Sequence, residues 1–292
     1  MNIDVVNKIK RIAIIALASD DTLVETLVLK GGNAIDLAYK HSKTYRTSFD
    51  LDYSIEDGDF TEDEIHISKR IENTLIQTFL EKEYEIIDYK FLQKPKNTHE
   101  DIANFWGGYK VEFKVLDKQI YNKYYGNIDK MRRESIAINP NNSTIFELEF
   151  SKFEYIGQKQ KVDVDGYKIY VYTSEMIVFE KLRAICQQLP AYKDVIPSFS
   201  PRARARDFYD IHLIMEMHEI DPRTPENIEL IKNIFYAKKV PLSFIKEIKN
   251  NKSIHIDDWQ NVMDTIPPSE ISKGFNYYFD FVLQTFESIT FP

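Results

Sequence analysis

The residues best placed to do chemistry lie in "KGGNAIDLAYKHSKTYRTSFDLDYS", Lys30 to Ser54, where a Lys-Gly-Gly turn precedes two aspartates separated by one leucine. In an extended segment side chains alternate, so Ser48, Asp50 and Asp52 share one face while Phe49, Leu51 and Tyr53 share the other. Two carboxylates at i, i+2 repel each other, and a hard divalent cation removes that repulsion while taking oxygen ligands from both. Mg²⁺, or Mn²⁺, is the cation such oxygen donors suit. A solvated acidic strand face is the competing explanation of an isolated D-x-D. An EF-hand is excluded by spacing, since counting from Asp50 puts Ile55 where glycine is required and Thr61 where the bidentate glutamate is required.

Lys30, Gly31 and Gly32 read as a turn at which backbone N–H groups and a helix N-terminus can approach phosphates. It is not a P-loop, because the lysine precedes the glycines and no G-K-[ST] follows. A turn that needs only a positive φ is the plainer alternative.

Two strands offer a third carboxylate. Glu112 in "YKVEFKV" is flanked on its own face by Lys110 and Lys114, which suits a cross-strand ion pair. Glu149 in "IFELEFS" shares its face with Glu147 and Ser151, opposite Phe146, Leu148 and Phe150, and is preferred as the metal ligand. Further on, Lys181 lies near the apolar stripe of "SEMIVFEKLRAICQQL". Asp207 and Asp210, at i, i+3 in "RDFYD", share a helical face. Asp207 is close enough to the helix start to serve as a cap, whereas Asp210 is not.

These groups need elements to hold them. The alternations predict a short strand at Thr26–Leu29, a helix from about Asn33 to His41, and a strand over Ser48–Ile55. A capping box at Thr61 and Glu64 opens a long helix to about Glu83. Strands follow at "YEIIDYKFL", "YKVEFKVL" and "TIFELEFSKF", then a hairpin around Asp165-Gly166. From Ser174 onward the period is helical, in "SEMIVFEKLRAICQQL", "ARARDFYDIHLIMEMH", "PENIELIKNIFYA" and a final helix near "ISKGFNYYFDFVLQTF". The expected architecture is α/β (α+β), a mixed sheet with flanking helices over residues 1–172, followed by a helical domain over 173–292.

The 292 residues suffice for such a core, and 43% apolar content with 19 Phe and 18 Tyr is that of a globular chain. The longest apolar run, Ile12 to Ala18, has seven residues where a membrane span needs about 20. The opening segment reads as an amphipathic helix and not as a secretory signal. One cysteine, Cys186, permits no internal disulfide, so a cytoplasmic location is expected. The six histidines show no zinc-ligand spacing. A net charge of −8 excludes a general nucleic-acid sponge, yet Lys181, Arg183, Lys193, Arg202, Arg204 and Arg206 face only Asp194 within their span, a candidate phosphate track. "YNKYYGNIDKMRRE" mixes basic residues with tyrosines able to stack on unpaired bases.

Taken in order, the glycine turn, helix and D-x-D strand resemble the nucleotidyltransferase pattern. More specifically, "KGGNAIDL…RTSFDLDYS", the "EMIVFEKLRAI" helix, the "RARDFYDIHLI" helix and "DDWQNVM" before an aromatic helix are similar to the AbiEii/AbiGii abortive-infection toxins of type IV toxin–antitoxin systems. The resemblance implies metal-dependent transfer of a nucleotide from an NTP to an RNA hydroxyl, with tRNA acceptor ends as the expected target, and a separate antitoxin partner. It implies Gly31 and Gly32 beside the triphosphate, Ser48 on a phosphate and Asp50 with Asp52 on the metal. Lys181 would meet a phosphate, and Asp207 with Asp210 would complete the site. Two departures stand out: the gap of 17 residues between Gly32 and Asp50, and Asn33 where the family often has a small hydroxyl residue. A protein or small-molecule acceptor, and a partner-binding module whose acidic face is a remnant, are the competing functions.

Overall fold

Alternation of apolar and polar residues over short runs produces strands that bury one face, and helical spacing produces helices that cover it. In the computed structural model, residues 2–38, 50–97, 99–139, 141–266 and 272–291 are described. They divide into two compact units, the first drawn from 1–38, 48–153 and 159–171 and the second from 154–158 and 172–292.

The first unit runs α1 (Ile3–Ala18), α2 (Asp21–Thr26), β1 (Leu27–Lys30), α3 (Gly31–Ala38), β2 (Leu51–Ile55), α4 (Glu64–Glu81), β3 (Tyr84–Lys94) and β4 (Gly108–Asp117). It continues through α5 (Lys118–Lys123), α6 (Ile128–Glu134), β5 (Phe146–Ser151), β6 (Gln160–Val164) and β7 (Tyr167–Val171). Among the described residues these seven strands form one sheet of order β3-β4-β5-β2-β1-β7-β6. It is mixed: β1 pairs parallel with β7 and β2 parallel with β5, the other pairs being antiparallel. The strand that carries Asp52 is therefore the central one. Its apolar face belongs to a core in which Tyr53 stacks on Phe150 at 5.7 Å, and Phe79 of α4 meets Phe113 edge-on at 5.7 Å. Ile67, Ile71, Leu75 and Phe79, at successive i, i+4 positions, form the buried stripe of α4. The β6–β7 hairpin turns at Asp165 and Gly166, whose φ values of 52° and 87° are the left-handed pair that a two-residue turn requires.

The second unit contains α7 (Ser174–Cys186), α8 (Ala205–His218), α9 (Pro225–Ala237), α10 (Lys252–Ile256), α11 (Trp259–Met263) and α12 (Phe275–Phe286), with 3-10 segments at Pro190–Asp194 between α7 and α8 and at Leu242–Asn251 between α9 and α10. Ten of the 13 residues of α7 are buried, so it is packed all round, against α8 and α9 in particular. Phe208 of α8 packs on Phe275 and Phe279 of α12 with ring centres 5.5 and 5.3 Å apart. Cys186 is fully buried, as expected of a small core residue.

Three local expectations change. The helix after the glycine turn starts at Gly31 and is described to Ala38, and the acidic strand is regular only from Leu51, leaving Asp50 on a bend before it. Ser48 and Phe49 lie outside the described residues. Thr61 is not the cap of α4; Asp63 is, its side chain accepting from the His66 N–H at 3.0 Å. An ionised carboxylate at the N-terminus gains from the helix dipole, which Thr61 would not.

Candidate active site

Antiparallel pairing of β1 with β2 sets Lys30 beside Asp52, parallel pairing of β2 with β5 sets Asp52 beside Glu149, and antiparallel pairing of β5 with β4 sets Glu149 beside Lys110. Register partners share a face, so these four residues form one polar row across the middle of the sheet. Leu29, Tyr53, Phe150 and Tyr109, each one residue along, are buried on the opposite face. Lys30, 9% exposed, sends Nζ across β2 to donate to the Ser151 hydroxyl at 3.1 Å.

The glycine turn opens onto this row. Gly31 has φ +69°, a backbone state that costs an L-residue energy. A Cβ at Gly31 would sit 3.4 Å from Asp52 Oδ2. The first turn of α3 and the carboxylate of the central strand are thus neighbours. Asn33, on that same turn, donates from Nδ2 to the Asp50 carbonyl at 2.7 Å and accepts at Oδ1 from Lys10 Nζ at 3.0 Å.

The oxygen donors of Asp50 and Asp52 are of the type that suits Mg²⁺ or Mn²⁺, which usually take one or two carboxylates and complete their shell with water and substrate phosphates. Among the described residues no group of three or more His, Cys, Asp or Glu side chains is gathered closely enough to hold a metal alone. Asp50 is exposed and Asp52 half-buried, which leaves both within reach of such a cation. Glu149, although next to Asp52 in register, has Oε1 2.5 Å from Lys94 Nζ. Glu112 is bound at 2.5 Å to Lys110, two residues along its own strand, and the same ammonium reaches across to Glu147 at 3.1 Å, so the cross-strand ion pair is made by Lys110 with Glu147 and Glu112 is held along β4.

In the second unit, Lys181 of α7 lies 3.0 Å from Asp207 Oδ1 and 2.8 Å from Asp210 Oδ2, both on α8. The i, i+3 spacing presents the two aspartates together, and Lys181 answers both. Asp207 is no helix cap: Arg204 is the N-cap residue and makes no side-chain cap bond. Burial alone would raise the Asp207 pKa, but Arg204, 2.7 Å away through Nε, and Lys181 outweigh it and hold the carboxyl down at about 2. His255, fully buried, accepts from the Arg204 backbone N–H through Nδ1 at 3.0 Å, and burial pushes its pKa down to about 4, so it is neutral.

Of the expected basic track, Arg202 and Arg206 are exposed, Arg204 is committed to Asp207, and Arg183 is buried at 4% exposure between Glu154, 3.2 Å away, and Glu180, 3.4 Å away. Arg183 belongs to the interior and not to a surface track. Lys238 joins the same buried group, 3.5 Å from Glu154. In "YNKYYGNIDKMRRE", α5 has no buried residue and Tyr125 is 76% exposed, with Tyr121 5.8 Å from it edge-on. Sequence reasoning missed Lys10 and Lys94. Lys10 was detectable, because it stands four residues after Val6 and three before Ala13, inside the buried stripe of α1.

A mixed sheet with helices, a glycine turn and a carboxylate on the adjoining central strand define a nucleotidyltransferase fold. A sequence model of the AbiEii nucleotidyl transferase toxins of type IV TA systems matches residues 14–285, and the chain belongs to that family. No curated protein matches the sequence significantly. Among solved structures, a candidate nucleotidyltransferase from H. pylori is similar in fold, with 16% identity, TM-score 0.50, and coverage of 97% of this chain and 93% of that one. JHP933 from Helicobacter pylori also matches, with 16% identity, TM-score 0.45, and coverage of 96% of this chain and 91% of that one. Family membership makes the protein a nucleotidyltransferase toxin with a nucleotide substrate and an antitoxin counterpart. Among the described residues no helix is long and apolar enough to cross a membrane.

Proposed function

We propose that the protein transfers a nucleotidyl group from an NTP to a hydroxyl at a tRNA acceptor end, in the cytoplasm, as the toxic step of a phage-defence system. The acceptor oxygen forms a bond to the α-phosphorus, the bond from that phosphorus to the bridging oxygen breaks, pyrophosphate leaves, and the hydroxyl proton passes to solvent or a carboxylate. Such chemistry asks the protein mainly for alignment and charge neutralisation. The observation that carries the reading is the approach of Gly31 to within a methyl contact of Asp52 Oδ2, with Glu149 next in register.

In this reading Lys30, Gly31, Gly32 and Ser48 contact the triphosphate. Asp50 and Asp52, with Glu149 once released from Lys94, hold Mg²⁺ or Mn²⁺, which when bound supplies neutralisation of the attacking and leaving oxygens. Within the helical domain, residues 173–292, Lys181 with Asp207 and Asp210 is the group that the family resemblance associates with the reaction. Arg202 and Arg206, the exposed arginines of the basic run, serve the RNA backbone, and the exposed Tyr125 suits an unpaired base.

The test is incubation of the protein with total RNA and each labelled NTP in turn, alongside Asp52→Ala. Incorporation into RNA that disappears in Asp52→Ala, with cooperative melting retained, supports the proposal. Undiminished incorporation and toxicity in that variant overturn the site, and label found in protein but not in RNA overturns the acceptor.

A further inference from the structure

Lys10 is 7% exposed, unusual for a lysine, and its place on α1 lies outside both the glycine turn and the acidic strand. Its Nζ donates to Asn33 Oδ1 at 3.0 Å, and Asn33, 5% exposed, donates from Nδ2 to the Asp50 carbonyl at 2.7 Å. An ammonium can only donate and a carbonyl can only accept, so the two partners fix which end of the amide is which. One side chain therefore ties α1, the first turn of α3 and the backbone of Asp50 together. Asn33 immediately follows the two glycines, and Asp50 lies two residues before Asp52, so this amide sets how far the acidic segment stands from the turn.

We propose that Asn33, oriented by Lys10, is a positioning residue for nucleotidyl transfer: it holds Asp50 at the start of β2 in the place where its carboxylate, with that of Asp52, takes the divalent cation of the metal–NTP complex. The inference rests on the nucleotidyl-transfer reading above.

Asn33→Asp is the discriminating variant. It keeps an oxygen acceptor for Lys10, as an ion pair, and removes the donor to the Asp50 carbonyl. Lys10→Met is the second, since it removes the donor to Asn33 Oδ1 and leaves the amide held by the Asp50 carbonyl alone. Wild type, both variants and Asp52→Ala are compared for Mn²⁺ affinity in the presence of each of the four NTPs, read from the Mn²⁺ EPR signal, and for melting without ligand. The expected result is at least about a tenfold loss of Mn²⁺–NTP affinity in Asn33→Asp and Lys10→Met with cooperative melting retained. Wild-type affinity in both, with loss confined to Asp52→Ala, overturns the positioning role and leaves nucleotidyl transfer standing; a fall in melting temperature with affinity unchanged does the same. Absence of Mn²⁺–NTP binding in the wild type overturns nucleotidyl transfer and this inference together. If Asn33→Asp does not fold, Lys10→Met is decisive by itself.

Discussion

Replacing Gly31 by alanine separates a backbone effect from a substrate effect. The residue sits at φ +69°, where an L-side chain costs about 1–2 kcal/mol relative to glycine. Among the described residues the new methyl carbon would meet only Asp52 Oδ2, at 3.4 Å, an ordinary van der Waals distance that adds no overpacking. Gly31→Ala should therefore melt roughly 2–8 °C below wild type, at about 2–4 °C per kcal/mol for a unit of this size. The effect on nucleotide binding should be larger than that small loss suggests, because the methyl occupies the gap between the turn and the carboxylate into which a phosphate oxygen must pass. At an NTP concentration of about 100 times Kd the wild type gains about 2.7 kcal/mol from the ligand, and a tenfold weaker variant gains only about half of that. Differential scanning calorimetry with and without Mn²⁺ and NTP reads both quantities from one sample. An unchanged ligand-induced shift would refute phosphate approach at Gly31. A ligand-free loss far beyond 10 °C would refute the reading of the turn as sterically open.

Two further predictions concern the helical unit. His255 has its pKa lowered from 6.5 to about 4, chiefly by burial, with Asp207 and Asp258 pulling it up and Arg204 pulling it down. The unfolded chain takes up a proton below pH 6.5 that the native state refuses until about 4, so stability is full above 6.5 and falls by about 3 kcal/mol as pH drops to 4. Urea titrations across that range should show the fall, and His255→Gln should flatten it; an equal slope in the variant assigns the acid sensitivity elsewhere. Lys181→Met removes the ammonium from two aspartates whose side chains are 7% and 15% exposed. Because Arg204 remains on Asp207, the cost should fall at the low end of that for breaking a buried pair, about 3 kcal/mol, with Asp210→Asn restoring part of it in the double variant. A loss under about 1 kcal/mol in urea would show that Lys181 is not structurally committed to the pair. The low Asp207 pKa adds stability that is present above the ordinary value of 3.8 and lost as pH falls through about 2, and Lys181→Met should bring that loss to higher pH.

The strands were legible because alternation is a local property: "FELEFS" and "YKVEFKV" declare their faces without any neighbour, and Asp165-Gly166 declares its turn. Helix starts were less so. Thr61-x-x-Glu64 reads as a capping box, yet the structure caps α4 with Asp63, whose charge gains from the helix dipole. The pairing of Lys181 with Asp207 and Asp210 was half legible. Helical spacing put the aspartates on one face, but only the packing of α7 on α8 brought the lysine to them. Arg183 misled for the same reason, since a basic residue on a helix reads as surface until the buried carboxylates around it are seen.

What the sequence determined by itself was the chemistry available to each element: a glycine turn after Lys30, and Asp52 on one side of the acidic strand with a core on the other, because side-chain periodicity depends on the backbone alone. What only the tertiary structure decided was which of those elements are neighbours. Asp52 lies beside Glu149, 97 positions away in the chain, because β2 pairs with β5, and Lys10 reaches Asn33 because α1 packs where it does. Strand order and helix packing are settled by burial of the whole apolar surface at once, a condition no local stretch of residues can express.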